Sequence, residues 1–365
     1  MDYPSTITEI NFPTRLELLT PQFLTLVLQE NIRSMRVVDS HFGDGMTGNL
    51  FRIALEPSRA SSRLPKTMIA KFSAFDDRVR AVCNSLGFFE REVYFYNNIA
   101  NSMNVHIPHC YYAAFDARQG RSLLLLEDLA AYQMESSMMG CSVDRARQAI
   151  KEMARLHAAW WNRPGLRDIP WLFRTPDAIR SAFAEQWDGF RACFQLGDSP
   201  DVQRIGEIMI QQGDEVTRYL EGAPVTLIHN DYQLNNLAFS VPGNPQEVMV
   251  FDWASYTASK GSDDLAMFLV GSLAPEDRRQ AEKELIHEYV EALSQAGVSD
   301  YTPEQCFHDY RQALLLHFAR MVLAISIVHF SQSGAEKTIS QQAFNNCNPI
   351  VRRRLAAVID HHIPK

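Results

Sequence analysis

Apolar positions follow two different rhythms along this chain. Up to about residue 126 they alternate, or run in short blocks bounded by glycine, proline and polar residues, which is the period of strands. Residues 35–38 and 49–56 read as strands on either side of a glycine-rich turn, and residues 66–74 read as a third. Residues 110–116 and 121–126 flank Ala117-Arg118-Gln119-Gly120, a hairpin signal, and residues 88–100 have helical spacing. From Ser142 the period lengthens. Ile150, Met153, Ala154, His157 and Trp161 recur at three- and four-residue steps, one face of a helix. Thr175-Pro176 and Thr302-Pro303 each pair an N-cap residue with proline at the first helical position. Two short strands, 225–229 and 248–252, interrupt the helices. The pattern predicts an α+β, two-lobed fold. A small antiparallel strand-rich lobe spans 1–126, a hinge and linker 127–141, and a larger, mainly helical lobe 142–365, with no internal repeat.

Composition narrows the class without naming a function. The 365 residues are 46% hydrophobic, enough for a sizeable core, and the formal net charge of -8 argues against nucleic acid or an acidic membrane surface as partner. Residues 1–20 lack a basic start followed by an apolar stretch, so no secretory leader is expected. Residues 313–328 are the most apolar, yet they contain His317 and Arg320 and read as a buried helix. Six cysteines without a Cys-x-x-Cys pair suit free thiols in a reducing cytoplasm.

The candidate chemistry lies in five places. Gly43-Asp44-Gly45-Met46-Thr47-Gly48 is a G-x-G-x-x-G, but a strand follows it instead of the helix that a dinucleotide site requires. A glycine loop between antiparallel strands is the arrangement that covers nucleotide phosphates in kinases, and Leu50 then falls over the adenine. Lys71, in a strand, is the candidate phosphate-gripping cation; a snorkelling lysine is the plain alternative. Glu90 and Glu92 compete to hold its ammonium, and Glu92 is preferred because it shares a face with Phe88, Phe89, Phe95 and Tyr96. Four leucines lead into Glu127, Asp128 and Leu129, an exit from the core whose backbone groups would meet the adenine edge.

Fourth comes His229-Asn230-Asp231-Tyr232-Gln233-Leu234-Asn235-Asn236, a polar run between apolar flanks that matches H-x-D-x-x-x-x-N. An aspartate there can take the proton of an attacking hydroxyl, and an amide oxygen further on can ligate Mg2+ without adding charge. Last, Asp252 ends an apolar strand and is a second candidate metal ligand, across a turn at residues 242–245. Each piece has an ordinary structural reading. Their order is that of a phosphoryl-transfer site.

With LIHNDYQLNNLAF, VFDWASYTASKGSDDLAMFL, MARLHAAWW and LLLLEDL in place, the chain resembles the aminoglycoside phosphotransferase, choline kinase and ecdysteroid-kinase-like group of small-molecule kinases, over roughly residues 35–330. The resemblance implies a protein-kinase-like fold, ATP and Mg2+. It makes Asp231 the catalytic base, Asn236 and Asp252 the metal ligands, and Asp264 a brace for the catalytic loop, with Asp263 as its rival. Asp252-Trp253-Ala254 stands where protein kinases have Asp-Phe-Gly, and Asn230 stands where many relatives have glycine. The expected activity is transfer of the γ-phosphate of ATP to a hydroxyl of a small molecule with an apolar body. Phe183, Trp187, Phe190 and Phe194 form a helical stripe that is either core or the wall of an acceptor pocket. The alternatives are an inactive nucleotide-binding regulator of the same fold and a metal-dependent hydrolase using His229, Asp231 and Asp252. Asp360-His361-His362 reads as a solvated tail.

Overall fold

The alternating segments of the first third pair into one antiparallel sheet. Its strands are β1 (Ile32–Asp39), β2 (Gly48–Pro57), β3 (Thr67–Ser73), β4 (Cys110–Asp116) and β5 (Arg121–Glu127), in the order β1-β2-β3-β5-β4. The computed structural model describes residues 12–39, 48–59, 61–166, 172, 179–197, 199–220, 222–241, 248–331 and 341–364. The turn proposed at 242–245 and the Thr175-Pro176 cap lie outside these. The chain divides into two units. One holds the described residues up to Gln133 together with Met249–Ser255; the other holds Met134–Val248 and the described residues from Tyr256 onward.

In the first unit the two-residue strand period sorts side chains between the faces of the sheet. Met68, Ala70 and Phe72 bury with Ile53, Leu123 and Leu125 in a core that includes Leu24 of α1 (Pro21–Leu28). By the same alternation Ile69 and Lys71 project from the opposite face. Helices α2 (Asp77–Ser85) and α3 (Phe88–Tyr94) follow β3, and α3 runs on through a π-helical turn, Phe95–Ile99. A short strand, β6 (Tyr132–Met134), marks the crossing into the second unit.

The second unit is mainly helical. Its helices are α4 (Val143–Trp160), α5 (Ile179–Cys193), α6 (Pro200–Leu220), α7 (Gly261–Ser272), α8 (Pro275–Gln295), α9 (Pro303–Ser331) and α10 (Gln341–His362). The short strands are β7 (Thr226–Ile228), β8 (Leu237–Ser240), β9 (Val248–Val250), which runs across the boundary between the units, and β10 (Thr257–Ser259). β7 and β10 are paired antiparallel. Ser142 caps α4 by accepting from the Arg145 amide, and the expected stripe of Ile150, Met153, Ala154 and His157 is buried. Thr302 and Gln305 close a reciprocal capping box at the start of α9.

The α5 stripe is core. Phe183, Trp187 and Phe190 surround Phe318 of α9 at ring-centroid distances of 6.5, 5.9 and 6.2 Å. The reading of Asp360-His361-His362 as a solvated tail is corrected. Asp360 pairs with Arg278 and Arg279, and His361 Nε2 lies 3.0 Å from Glu282. Burial pulls His362 down to about 4. Among the described residues no helix is long and apolar enough to cross a membrane, and the five cysteines with described side chains are free thiols.

Candidate active site

In the first unit, Lys71 leaves β3 directly opposite Leu50 of β2. Gly48 opens β2 where a Cβ would stand 2.7 Å from the Phe72 carbonyl, so only glycine allows the strands this approach. Lys71 Nζ donates to Glu92 Oε1 at 2.7 Å and to Asp252 Oδ1 at 2.9 Å. Glu92 is buried, whereas Glu90 is exposed on another face of α3. Burial opposes the Lys71 charge, but Asp252 and Glu92 outweigh it and hold its pKa above the ordinary value. Glu92 is itself pushed up to about 6, by burial first, with Asp252 adding to the rise against the pull of Lys71. Two carboxylates share one ammonium, so the cluster has room for more positive charge.

Helix α3 also fixes the segment carrying Asp252. Arg91 Nη2 donates to the Ser255 carbonyl at 3.3 Å, and Phe95 stacks on Trp253 with centroids 4.2 Å apart. Asp252 is held at φ 64°, the left-handed region that a non-glycine residue enters only under constraint. At the end of β5, Glu127 donates its amide to His109 O at 2.8 Å and accepts from the His109 amide at 3.0 Å. The Glu127 amide, one of the backbone groups expected at the adenine edge, is therefore already engaged. Asp128 is clamped by Arg52 at 2.9 and 3.1 Å and caps the turn through Ala130, while Leu129 is buried.

In the second unit the polar run begins where β7 ends. Asp264, in the first turn of α7, accepts from the His229 amide at 2.7 Å and the Asn230 amide at 2.8 Å, and His157 Nε2 lies 3.3 Å away. Asn230 sits at φ 62°. That accounts for asparagine where many relatives have glycine: glycine, or the asparagine that tolerates this region best, is what the backbone admits here. Tyr232 is buried and donates to the Ala149 carbonyl at 2.8 Å, tying the loop to α4. Asp231 accepts from Gln233 Nε2 at 2.9 Å and from Asn236 Nδ2 at 2.8 Å; the same Nδ2 reaches the Asp231 carbonyl at 2.9 Å. Asp263 belongs to a different contact set, with His317 and Arg320. Burial raises its pKa, but those two groups prevail and hold it well below the usual carboxylate range.

The structure thus brings Lys71, Glu92 and Asp252 together in one unit, and Asp231 with Asn236 in the other. Gly43, Gly45, Met46 and Thr47 lie outside the described residues. Arg91, Trp253, Tyr232 and Gln233 were not anticipated. Only the apolar flanks of the loop hinted at Tyr232 as an anchor.

Each candidate ligand offers an oxygen of the kind a hard cation takes. Asn236 commits its amide nitrogen to Asp231, which leaves a neutral carbonyl oxygen as its metal-ligating atom. Asp252 offers a carboxylate whose side chain is 34% exposed. Among the described residues no three His, Cys, Asp or Glu side chains form a metal cluster. Magnesium characteristically keeps few protein ligands and completes its shell with water and phosphate oxygens.

The family model described as the ecdysteroid kinase-like family matches residues 42–162 and 173–298. No curated protein matches the chain at the sequence level. Among solved structures, the GDP complex of wild-type aminoglycoside 2'-phosphotransferase-IIIa is similar with a TM-score of 0.57 and 11% identity, covering 91% of this chain and 96% of that one. The microcompartment-associated aminopropanol kinase gives 0.51 and 14%, covering 92% and 95%. Choline kinase from Cryptosporidium parvum Iowa II gives 0.50 and 14%, covering 87% and 88%. At these identities the likeness establishes the protein-kinase-like fold.

Proposed function

The chain belongs to the ecdysteroid kinase-like family, and from that premise we propose that it is an ATP- and Mg2+-dependent O-phosphotransferase acting on a hydroxyl of a small molecule. The observation that carries the reading is Lys71 held between Glu92 and Asp252, a charged side chain kept rigid and cationic inside a sheet unit. Lys71 grips the α- and β-phosphates, and Glu92 keeps its ammonium aimed. Asp231 accepts the hydrogen of the acceptor hydroxyl and, as the oxygen attacks, takes that proton. Gln233 and Asn236 hold the Asp231 carboxylate in one orientation. Asn236 and Asp252 would hold magnesium, which when bound neutralises phosphate charge. The proposal requires both residue sets to act on one triphosphate during turnover. Catalysis then consists of positioning and charge neutralisation.

For the acceptor, the family's description points to steroid alcohols, which combine hydroxyls with an apolar body. The α5 stripe no longer supports that preference, since it is core. The site of action in this reading is the cytoplasm, in keeping with the free thiols. The test is ADP release from ATP and Mg2+ across a panel of steroid alcohols, choline, ethanolamine, aminopropanol and aminoglycosides. Turnover on one of these, with a matching mass shift of the acceptor, is the expected result. Thermal stabilisation by ATP and Mg2+ with no turnover across the panel would favour the inactive nucleotide-binding regulator.

A further inference from the structure

Asp263 and Asp264 are neighbours in the first turn of α7, but they serve different elements. Asp264 takes the backbone amides of His229 and Asn230. Asp263, fully buried, turns to α9. There His317 Nε2 pairs with its Oδ1 and lies 2.8 Å from its carbonyl. Arg320 Nη1 lies 3.2 Å from Asp263 Oδ2, and 3.5 Å from both Asp263 Oδ1 and Asn230 Oδ1. One nitrogen of one arginine therefore spans a buried carboxylate and the residue before Asp231.

The base of that arginine is fixed. Asp309, earlier on α9, accepts from Lys260 Nζ at 3.0 Å and from Tyr301 Oη at 2.9 Å, and Lys260 immediately precedes α7. Phe318 is locked into the α5 stripe. Helix α9 is thus pinned to the start of α7 at Asp309 and at His317, and Arg320 extends the grip to the loop. His317 already bonds Asp263, so Arg320 is not the only partner of that carboxylate. What Arg320 adds is the contact with Asn230, at a residue whose φ of 62° must be maintained.

We propose that Arg320 is a positioning residue: by holding the Asn230 side chain against Asp263, it fixes the peptide that carries Asp231. The kinetic consequence rests on the phosphotransferase reading; the structural one does not. If Arg320 only neutralised Asp263, its removal would cost the same with or without the Asn230 side chain.

The experiment is a double-mutant cycle of Arg320→Met and Asn230→Gly, with Arg320→Lys as the conservative control. Turnover is read as ADP release from ATP and Mg2+ with the fastest acceptor of the panel. In parallel, amide hydrogen exchange is followed over residues 229–236 of the ligand-free protein. Arg320→Met should lower kcat about tenfold with KM for ATP within about twofold, because displaced catalytic groups cost rate before affinity. Arg320→Lys, which keeps one bridging nitrogen, should recover to within about threefold of the native kcat, the difference reflecting its altered donor geometry. In the Asn230→Gly background the further loss should shrink to about twofold or less. Exchange over 229–236 should quicken in Arg320→Met and gain little more in the double variant. Equal losses in both backgrounds, or no loss, overturn the proposal. If the native protein releases no ADP, the phosphotransferase reading alone fails, and exchange decides: unchanged protection in Arg320→Met then overturns the inference. Should Arg320→Met fail to fold, Arg320→Gln takes its place in both arms.

Discussion

The two residue sets, around Lys71 in one unit and around Asp231 in the other, are built on opposite principles. Around Lys71 the contacts are side chain to side chain and charge to charge: one ammonium, two carboxylates, and a stacked Phe95–Trp253 pair behind them. Around Asp231 the decisive contacts reach the backbone, with Asp264 on two successive amides and Asn236 on a carbonyl. The first arrangement can exchange partners when a charged ligand arrives, because its groups are ions that phosphate and metal can also satisfy. The second is not built to, since its anchors are peptide amides bonded to a buried carboxylate. A phosphotransferase needs both, a responsive grip on phosphate and an unmoving base.

The largest test of this contrast is chemical. Asp231→Asn should lower kcat by roughly 10²- to 10⁴-fold, the range for loss of a positioned general base, while KM for ATP stays close to native. A full-rate variant would remove Asp231 from the mechanism. Next comes the scaffold. Asp264→Ala deprives two amides, one buried and one half-buried, of their acceptor at up to about 1–3 kcal/mol each, so chemical denaturation should show a stability loss on the order of 2–6 kcal/mol. A loss under about 1 kcal/mol would mean that water replaces the carboxylate and that the loop is less rigid than the contrast asserts.

The charged half should reveal itself through pH. Glu92 is raised from 4.5 to about 6, with Lys71 pulling it down. Lys71→Met removes that pull, so Glu92 should titrate above about 6 in the variant. A raised carboxyl favours folding in its protonated form, so its contribution is present below 4.5 and is lost as pH rises through the folded value. The melting temperature of Lys71→Met should therefore fall, relative to the native protein, as pH is raised from 4.5 through and beyond 6. A constant difference across that window would show that Glu92 does not titrate there. The smallest effect is at Asn230. Replacement by Gly should change stability by less than about 1 kcal/mol, because glycine accepts the left-handed backbone. Val at the same position should cost about 1–3 kcal/mol.

How much of this was legible beforehand depended on the range of the interactions. The sheet lobe was readable because strand alternation is local, and so was Glu92 over Glu90, since helical spacing alone decides which faces inward. Asp263 and Asp264 could not be separated, as adjacent residues of a buried helix start differ only in which distant helix each meets. The same holds for Asp360 to His362, whose partners Arg278, Glu282 and Arg311 are fifty or more residues away. The reason for Asn230 in place of glycine is not legible in the sequence, because a residue type does not announce a positive φ. Nor does a strand-end aspartate reveal that Met249–Ser255 joins the unit of a lysine 181 positions earlier.

Trp253 gives the molecule an optical handle. Its indole is wholly buried, stacked within 8° of parallel on Phe95 and bonded through Nε1 to the Val250 carbonyl. The residue beside the candidate metal ligand is therefore a native fluorophore whose emission depends on the packing that places Asp252. With the four other tryptophans replaced, its spectrum would report on that segment in solution without any attached dye.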